Sequence, residues 1–135
     1  MKIVLDTNIV ISGIFFTGPP FEILSAWQQG KIDILLAPDI LDEYYRVADE
    51  LKERFSEIDA EPLLTLIANN SEIIPNSSLG VPVCEDTDDD KFISCAVSGN
   101  AQYIISGDKH LLNVGKYKDV SILNPSTFAE RYLKQ

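Results

Sequence analysis

The chain has 135 residues, the length of one ordinary domain, and its 45% hydrophobic content is enough to bury a core. Its 21 acidic residues against 11 basic ones give a formal charge of −10, so the surface repels bulk nucleic acid and anionic membranes unless its acids hold cations or a basic partner covers them. No apolar run approaches the roughly 20 residues of a bilayer span, and the opening MKIVLD has no cleavage site of the signal-peptide kind, so a cytoplasmic protein without membrane contact is expected.

KIVL, Lys2 to Leu5, is a short apolar run and reads as a buried strand ending at Asp6. Thr7-Asn8 leads into a short helix, IVISGIF, and Gly18-Pro19-Pro20 breaks the chain. Pro20 suits the first turn of the next helix, FEILSAWQQ, which stops at Gly30. IDILLA, Ile32 to Ala37, is a second strand. A long helix runs from Pro38 to Phe55, with Ile40, Tyr44, Val47, Leu51 and Phe55 at helical spacing. Another helix covers about Ala60 to Ala68, SEII is a short strand, and PNSSLGVP is a loop by composition. KFISCAVSG reads as a helix ended by Gly99, QYIIS as a strand, VSIL as another strand, and PSTFAERYL as a closing helix begun by Pro125.

Strands alternating with helices predict a three-layer α/β/α sandwich with a mainly parallel central sheet, in one domain over residues 1–135. Cys84 and Cys95 have no zinc spacing and make no disulfide framework, so both are expected to be reduced and structural. Phe15, Phe16, Trp27, Tyr44 and Tyr45 are core residues or, in part, a partner surface.

In open α/β sheets ligands bind beyond the carboxyl ends of the strands. Asp6 follows the first strand and Asp108 follows QYIIS by two residues, so both are directed to that edge. Either alone is an ordinary turn or cap aspartate; together they favour a site. Glu43, in the second turn of its helix, borders the apolar arc of Ile40, Tyr44 and Val47 and leans toward the same edge, while Asp39 and Asp42 suit the helix N-terminus. The run EDTDDDKF, Glu85 to Phe92, opens the next helix. Thr87 with Asp90 fits a capping box, which accounts for one acid. Asp89 lies on the face of Phe92, Ile93 and Ala96 and so points inward, where a carboxylate needs a partner; Asp90, nearer the edge of that face, is the alternative. Four segments thus offer Asp6, Glu43, Asp89 or Asp90, and Asp108 to one pocket. Clustered carboxylates take up protons or bind cations, and oxygen ligands without His or Cys favour Mg2+ or Mn2+, the ions of phosphate-ester chemistry.

These segments resemble the PIN-domain ribonucleases, especially the VapC-like toxins of toxin–antitoxin systems, over almost the whole chain. VLDTNIVISG is similar to the family's first acidic motif, PDILDEYYRV to its second, and EDTDDDKFISCAVSGNAQYIISGDKHLL to its third and fourth together. The resemblance implies an Mg2+- or Mn2+-dependent endoribonuclease with Asp6, Asp89 (or Asp90) and Asp108 as metal ligands. Glu43 would complete the shell or orient the attacking water, and Asn8 and Ser106 would hydrogen-bond ligands or phosphate. It also implies an RNA substrate, a cognate antitoxin and a homodimer. Lys91, Lys109 and His110 are candidates for phosphate contact, though each by itself is more readily read as an ordinary surface residue, and His110 receives no catalytic role. A receiver-like domain would need a phosphoacceptor Asp where IDILLA runs into Ala37-Pro38, and a haloacid-dehalogenase phosphatase would need D-x-D where the chain has D-T-N. The remaining rival is a catalytically silent PIN-fold protein-binding module, which would bind no metal.

Overall fold

The computed structural model describes residues 1–134. Its strands are β1 (Lys2–Leu5), β2 (Asp33–Leu36), β3 (Glu72–Ile73), β4 (Tyr103–Ile105), β5 (Lys116–Tyr117) and β6 (Val120–Leu123). Its helices are α1 (Thr7–Phe15), α2 (Pro19–Gln28), α3 (Pro38–Lys52), α4 (Glu61–Asn70), α5 (Asp90–Ser98), α6 (Lys109–Val114) and α7 (Pro125–Tyr132). The strands form one sheet in the order β3-β2-β1-β4-β6-β5. All neighbours pair in parallel except β5, which joins β6 antiparallel at the edge. This is the mainly parallel α/β sandwich that the alternation of strands and helices predicts.

Ile3, Val4 and Leu5 are fully buried, as are Leu35, Leu36, Ile104 and Ile105. Successive residues of a strand face opposite sides, so unbroken burial means that both faces of the sheet are covered. α5 packs on one face, touching β1, β2, β4 and β6, while α1 packs with α2 and α3, and α2 with α7. Four helices carry proline in their first turn, where the missing N–H has no partner to lose. α5 lies so close to the sheet that a Cβ on Gly99 would stand 2.6 Å from Leu35 Cδ1 and 2.9 Å from Ile74 Cδ1. Glycine there is a packing requirement.

Two elements have no counterpart among those expected from the sequence. α6 is six residues long and β5 two, both too short to show a periodicity. β5 and β6 turn through Lys118 in the left-handed region (φ 51°). α3 ends at Lys52, short of Phe55, which instead packs at 5.5 Å against the ring of Phe15. No single helix among the described residues is long and apolar enough to cross a membrane; α1 and α2 together are, but they meet at a 90° bend.

Candidate active site

From β1 the sheet grows one way through β2 and β3 and the other way through β4 and β6. The crevice between the carboxyl ends of β1 and β4 is therefore the switch point of the topology, where open α/β sheets bind ligands. Asp6 follows β1 and its backbone N–H donates to Ile105 of β4 at 3.0 Å, tying the two strand ends together. Its side chain is 6% exposed and accepts a hydrogen bond from the Ser106 hydroxyl at 2.7 Å. Burial pushes the Asp6 carboxyl up, hydrogen bonds from Ser106 and the Thr7 amide pull it down, and the charges of Asp108 and Glu43 push it up again; the outcome is a raised pKa.

Ser106 is fully buried, and its hydroxyl also accepts from the Asp108 backbone N–H at 2.9 Å. One side chain thus sets the spacing between the two strand-end acids. Asp108 caps α6 through Oδ2, which accepts from the N–H groups of His110 (3.0 Å) and Leu111 (3.3 Å). Its Oδ1 accepts no hydrogen bond among the described residues and is free for another partner.

Glu43 reaches the same edge because its neighbour is anchored there. Tyr44 is fully buried and its hydroxyl donates to the Leu5 carbonyl at 2.5 Å, fixing α3 to the end of β1. Burial, with the charge of Asp6 next in weight, pushes the Tyr44 phenol well up, so it stays a donor. Glu43 then accepts a hydrogen bond from the Thr7 hydroxyl and lies 2.8 Å from the Lys91 ammonium and 3.6 Å from Arg46. Thr7, 4% exposed, was not a sequence candidate; its signal was only its place between Asp6 and Asn8. Asn8 is exposed on the second residue of α1.

The acidic run folds differently from a capping box. Thr87–Asp89 form a turn of 3-10 helix whose cap is Asp86, accepting from the Asp88 N–H at 3.1 Å. Asp90 turns back instead, its two oxygens accepting from the N–H groups of Val83 (3.1 Å) and Cys84 (2.8 Å). It staples the preceding loop to α5, as does Ser94, which donates to the Ser77 carbonyl at 3.0 Å. Asp89 is left half-buried, and no donor among the described residues reaches its carboxylate. Burial first, then the charges of Asp108, Asp6 and Asp86, raise its pKa to about 6, against a smaller opposing pull from Lys91.

The structure thus brings Asp6, Ser106, Asp108, Glu43 and Asp89 to one crevice and commits Asp90 to the loop. Lys91 is not a free cation: it is paired with Glu43 and with Asp88 at 3.2 Å. Lys109 is exposed and makes no ion pair among the described residues. His110 is partly buried with Nδ1 3.3 Å from a Glu85 oxygen, without a hydrogen bond. Beside the crevice an open cleft of about 420 Å³ is lined by Asp39, Asp42, Glu43, Arg46, Thr87, Asp88 and Lys91. Both cysteines are buried thiols pushed up to about 12, chiefly by desolvation.

The donor chemistry fits a hard divalent cation: oxygens only, with Asp6 and Asp89 raised by burial and by the neighbouring charge of Asp108, and the Asp89 carboxylate unpartnered. Among the described residues no group of three or more His, Cys, Asp or Glu side chains stands close enough to hold an ion as placed. Ligation therefore requires side-chain rotation, which the unbonded Asp89 carboxylate and Asp108 Oδ1 permit.

An open α/β sheet with carboxylates gathered at its switch point defines the class of this protein. A family model described as PIN domain matches residues 2–110, and the chain belongs to that family. It is 33% identical over 147 residues to the uncharacterized protein MJ1680 of Methanocaldococcus jannaschii, spanning 99% of this chain and 93% of that protein. In fold it is similar to PAE2754 from Pyrobaculum aerophilum, with TM-score 0.61 and 14% identity over 99% of this chain and 90% of that one. It is also similar to a chain of VapBC2 from Rickettsia felis bound to a DNA fragment from their promoter, with TM-score 0.51 and 16% identity over 92% of this chain and 98% of that one. At these identities the two solved structures show the fold.

Proposed function

We propose that the chain is a single-domain, metal-dependent endoribonuclease, with Asp6, Asp89 and Asp108 as the ligands of Mg2+ or Mn2+, and that it is the toxin of a toxin–antitoxin pair. The observation that carries the reading is Asp89: a half-buried carboxylate with no donor, facing Asp108 and Asp6, and raised to about 6 by burial and those charges. Holding this unpartnered carboxylate beside the charges of Asp6 and Asp108 costs the fold stability unless a cation joins them. The bound ion would supply a water of lowered pKa and charge stabilisation at the leaving oxygen.

The chain's own groups do the rest. Ser106 holds Asp6 in place and positions the Asp108 amide. Glu43, held by Thr7 and Lys91, orients the attacking water from the α3 side. Asn8, exposed beside Asp6, contacts phosphate. A surface of formal charge −10 suits a basic antitoxin that covers it, and the VapBC2 chain of similar fold supports this. A homodimer and a cytoplasmic location belong to the same reading.

The spacing of the acids favours one rival, a silent PIN-fold module acting through protein contacts. A mixed RNA pool incubated with wild type or Asp6→Asn, in EDTA, Mg2+ or Mn2+, separates the two. Cleavage that needs metal and is lost in the variant supports the nuclease. Cleavage that persists in Asp6→Asn contradicts the site, and a wild type that neither cleaves nor binds Mn2+ is the silent module.

A further inference from the structure

Lys91 is held unlike a surface lysine. Its ammonium lies 2.8 Å from Glu43 and 3.2 Å from Asp88, and it donates to the Asp88 carbonyl at 3.0 Å. The side chains of Lys91 and Glu43 are only 13% and 15% exposed. Lys91 sits in the first turn of α5 and Glu43 in α3, so the pair ties these two helices together at the cleft beside the crevice.

The acids of the crevice therefore fall into two groups. Glu43 is already matched by Lys91, by Arg46 at 3.6 Å and by the Thr7 hydroxyl. Asp6, Asp89 and Asp108 form no ion pair among the described residues. The ammonium thus already occupies the place beside Glu43 that the second metal of a two-ion nuclease site would have to take to be held by that carboxylate. In such sites the ions stand about 3.5–4 Å apart and clamp both sides of the phosphoryl group. A hydrated divalent ion held by Glu43 would have to displace the Lys91 ammonium from its 2.8 Å contact and leave this largely buried charge with the exposed Asp88 alone, beside a second cation, which is unfavourable.

We infer that Lys91 is a built-in cation that replaces a second metal: the crevice takes one divalent ion, at Asp6, Asp89 and Asp108, and Lys91 fills the Glu43 side. This rests on the metal-dependent reading above. Lys91 is a positioning residue here, fixing Glu43 and a positive charge whatever the metal concentration.

The test is anomalous diffraction from crystals of the full chain soaked in Mn2+, with calorimetric titration of Mn2+ in solution. Wild type should show one Mn2+ in the crevice with the Lys91–Glu43 contact kept. Lys91→Met should gain a second Mn2+ beside Glu43, Lys91→Arg should keep one, and Lys91→Met with Glu43→Gln should return to one. Two ions in the wild-type crevice, or one in folded Lys91→Met, overturn the inference and leave the nuclease reading intact. The wild-type count decides even if Lys91→Met does not fold. No Mn2+ at the wild-type acids overturns the metal reading and this inference with it.

Discussion

Ser106→Ala probes the joint on which the crevice is built. The hydroxyl is fully buried, donates to Asp6 at 2.7 Å and accepts from the Asp108 N–H at 2.9 Å. A hydrogen bond to a charged group contributes about 1.5–3 kcal/mol, and an amide left unsatisfied costs about 1–3 kcal/mol. Allowing for water entering at the crevice, the variant should lose about 2–4 kcal/mol at pH 8, measured by urea unfolding in EDTA. The loss should depend on pH. The folded-state pKa of Asp6 lies above its unfolded value of 3.8, so ionised Asp6 destabilises the fold above the folded pKa. That penalty fades as pH falls toward the unfolded value. Ser106 lowers the Asp6 pKa, so its removal deepens the penalty where Asp6 is charged. Once Asp6 is protonated, the bond lost to it is a neutral one of about 1 kcal/mol, while the Asp108 amide is left unsatisfied at either pH. The deficit should therefore shrink between pH 8 and pH 4. A deficit under about 1 kcal/mol at pH 8, or one that grows on acidification, would refute this account of the joint.

Three further outcomes are expected. Asp89 has a folded pKa of about 6 against 3.8 in the unfolded chain, so its ionised form destabilises the metal-free fold above pH 6 and the penalty disappears toward pH 4. Asp89→Asn in EDTA should be more stable than wild type at pH 8, by on the order of 1 kcal/mol after solvent screening, and no different at pH 4; equal stability at pH 8 would contradict the crowding of these acids. Millimolar Mg2+ or Mn2+ should raise the melting temperature of wild type relative to EDTA, as any ligand of the folded state does, and should not raise that of Asp6→Asn. Gly99→Ala should destabilise by about 1–3 kcal/mol through overpacking, since its Cβ would stand 2.6 Å from Leu35 Cδ1; an unfolding midpoint equal to wild type would show that the sheet yields there.

The fold was legible because β1, β2 and β4 are unbroken apolar runs buried on both faces, and the helices between them announce themselves by proline starts and helical spacing. Asp6 and Asp108 were legible because each follows such a run, and strand ends in a parallel sheet share one edge. Glu43 was placed by its wheel position beside Tyr44, whose hydroxyl the structure finds on the Leu5 carbonyl. The acidic run was harder. Thr87 and Asp90 have the spacing of a capping box, but the amides of Val83 and Cys84 offer both Asp90 oxygens a bond that a local pattern does not contain. Lys91 could be read from the sequence only as an ordinary surface residue or a candidate for phosphate contact. Its partner lies on another helix, and pairings between distant segments leave no mark in spacing.

The most direct test of the central claim is RNA cleavage in Mg2+ by four single variants, Asp6→Asn, Asp89→Asn, Asp108→Asn and Asp90→Asn, each checked for folding by circular dichroism. The first three remove a charge from the proposed cation site and should each lower the rate by on the order of a hundredfold or more. Asp90→Asn loses a loop staple and should stay within about tenfold of wild type. Loss of activity in Asp90→Asn with full activity in Asp89→Asn would contradict the assignment of the third acid. Full activity in Asp6→Asn would contradict the site as a whole.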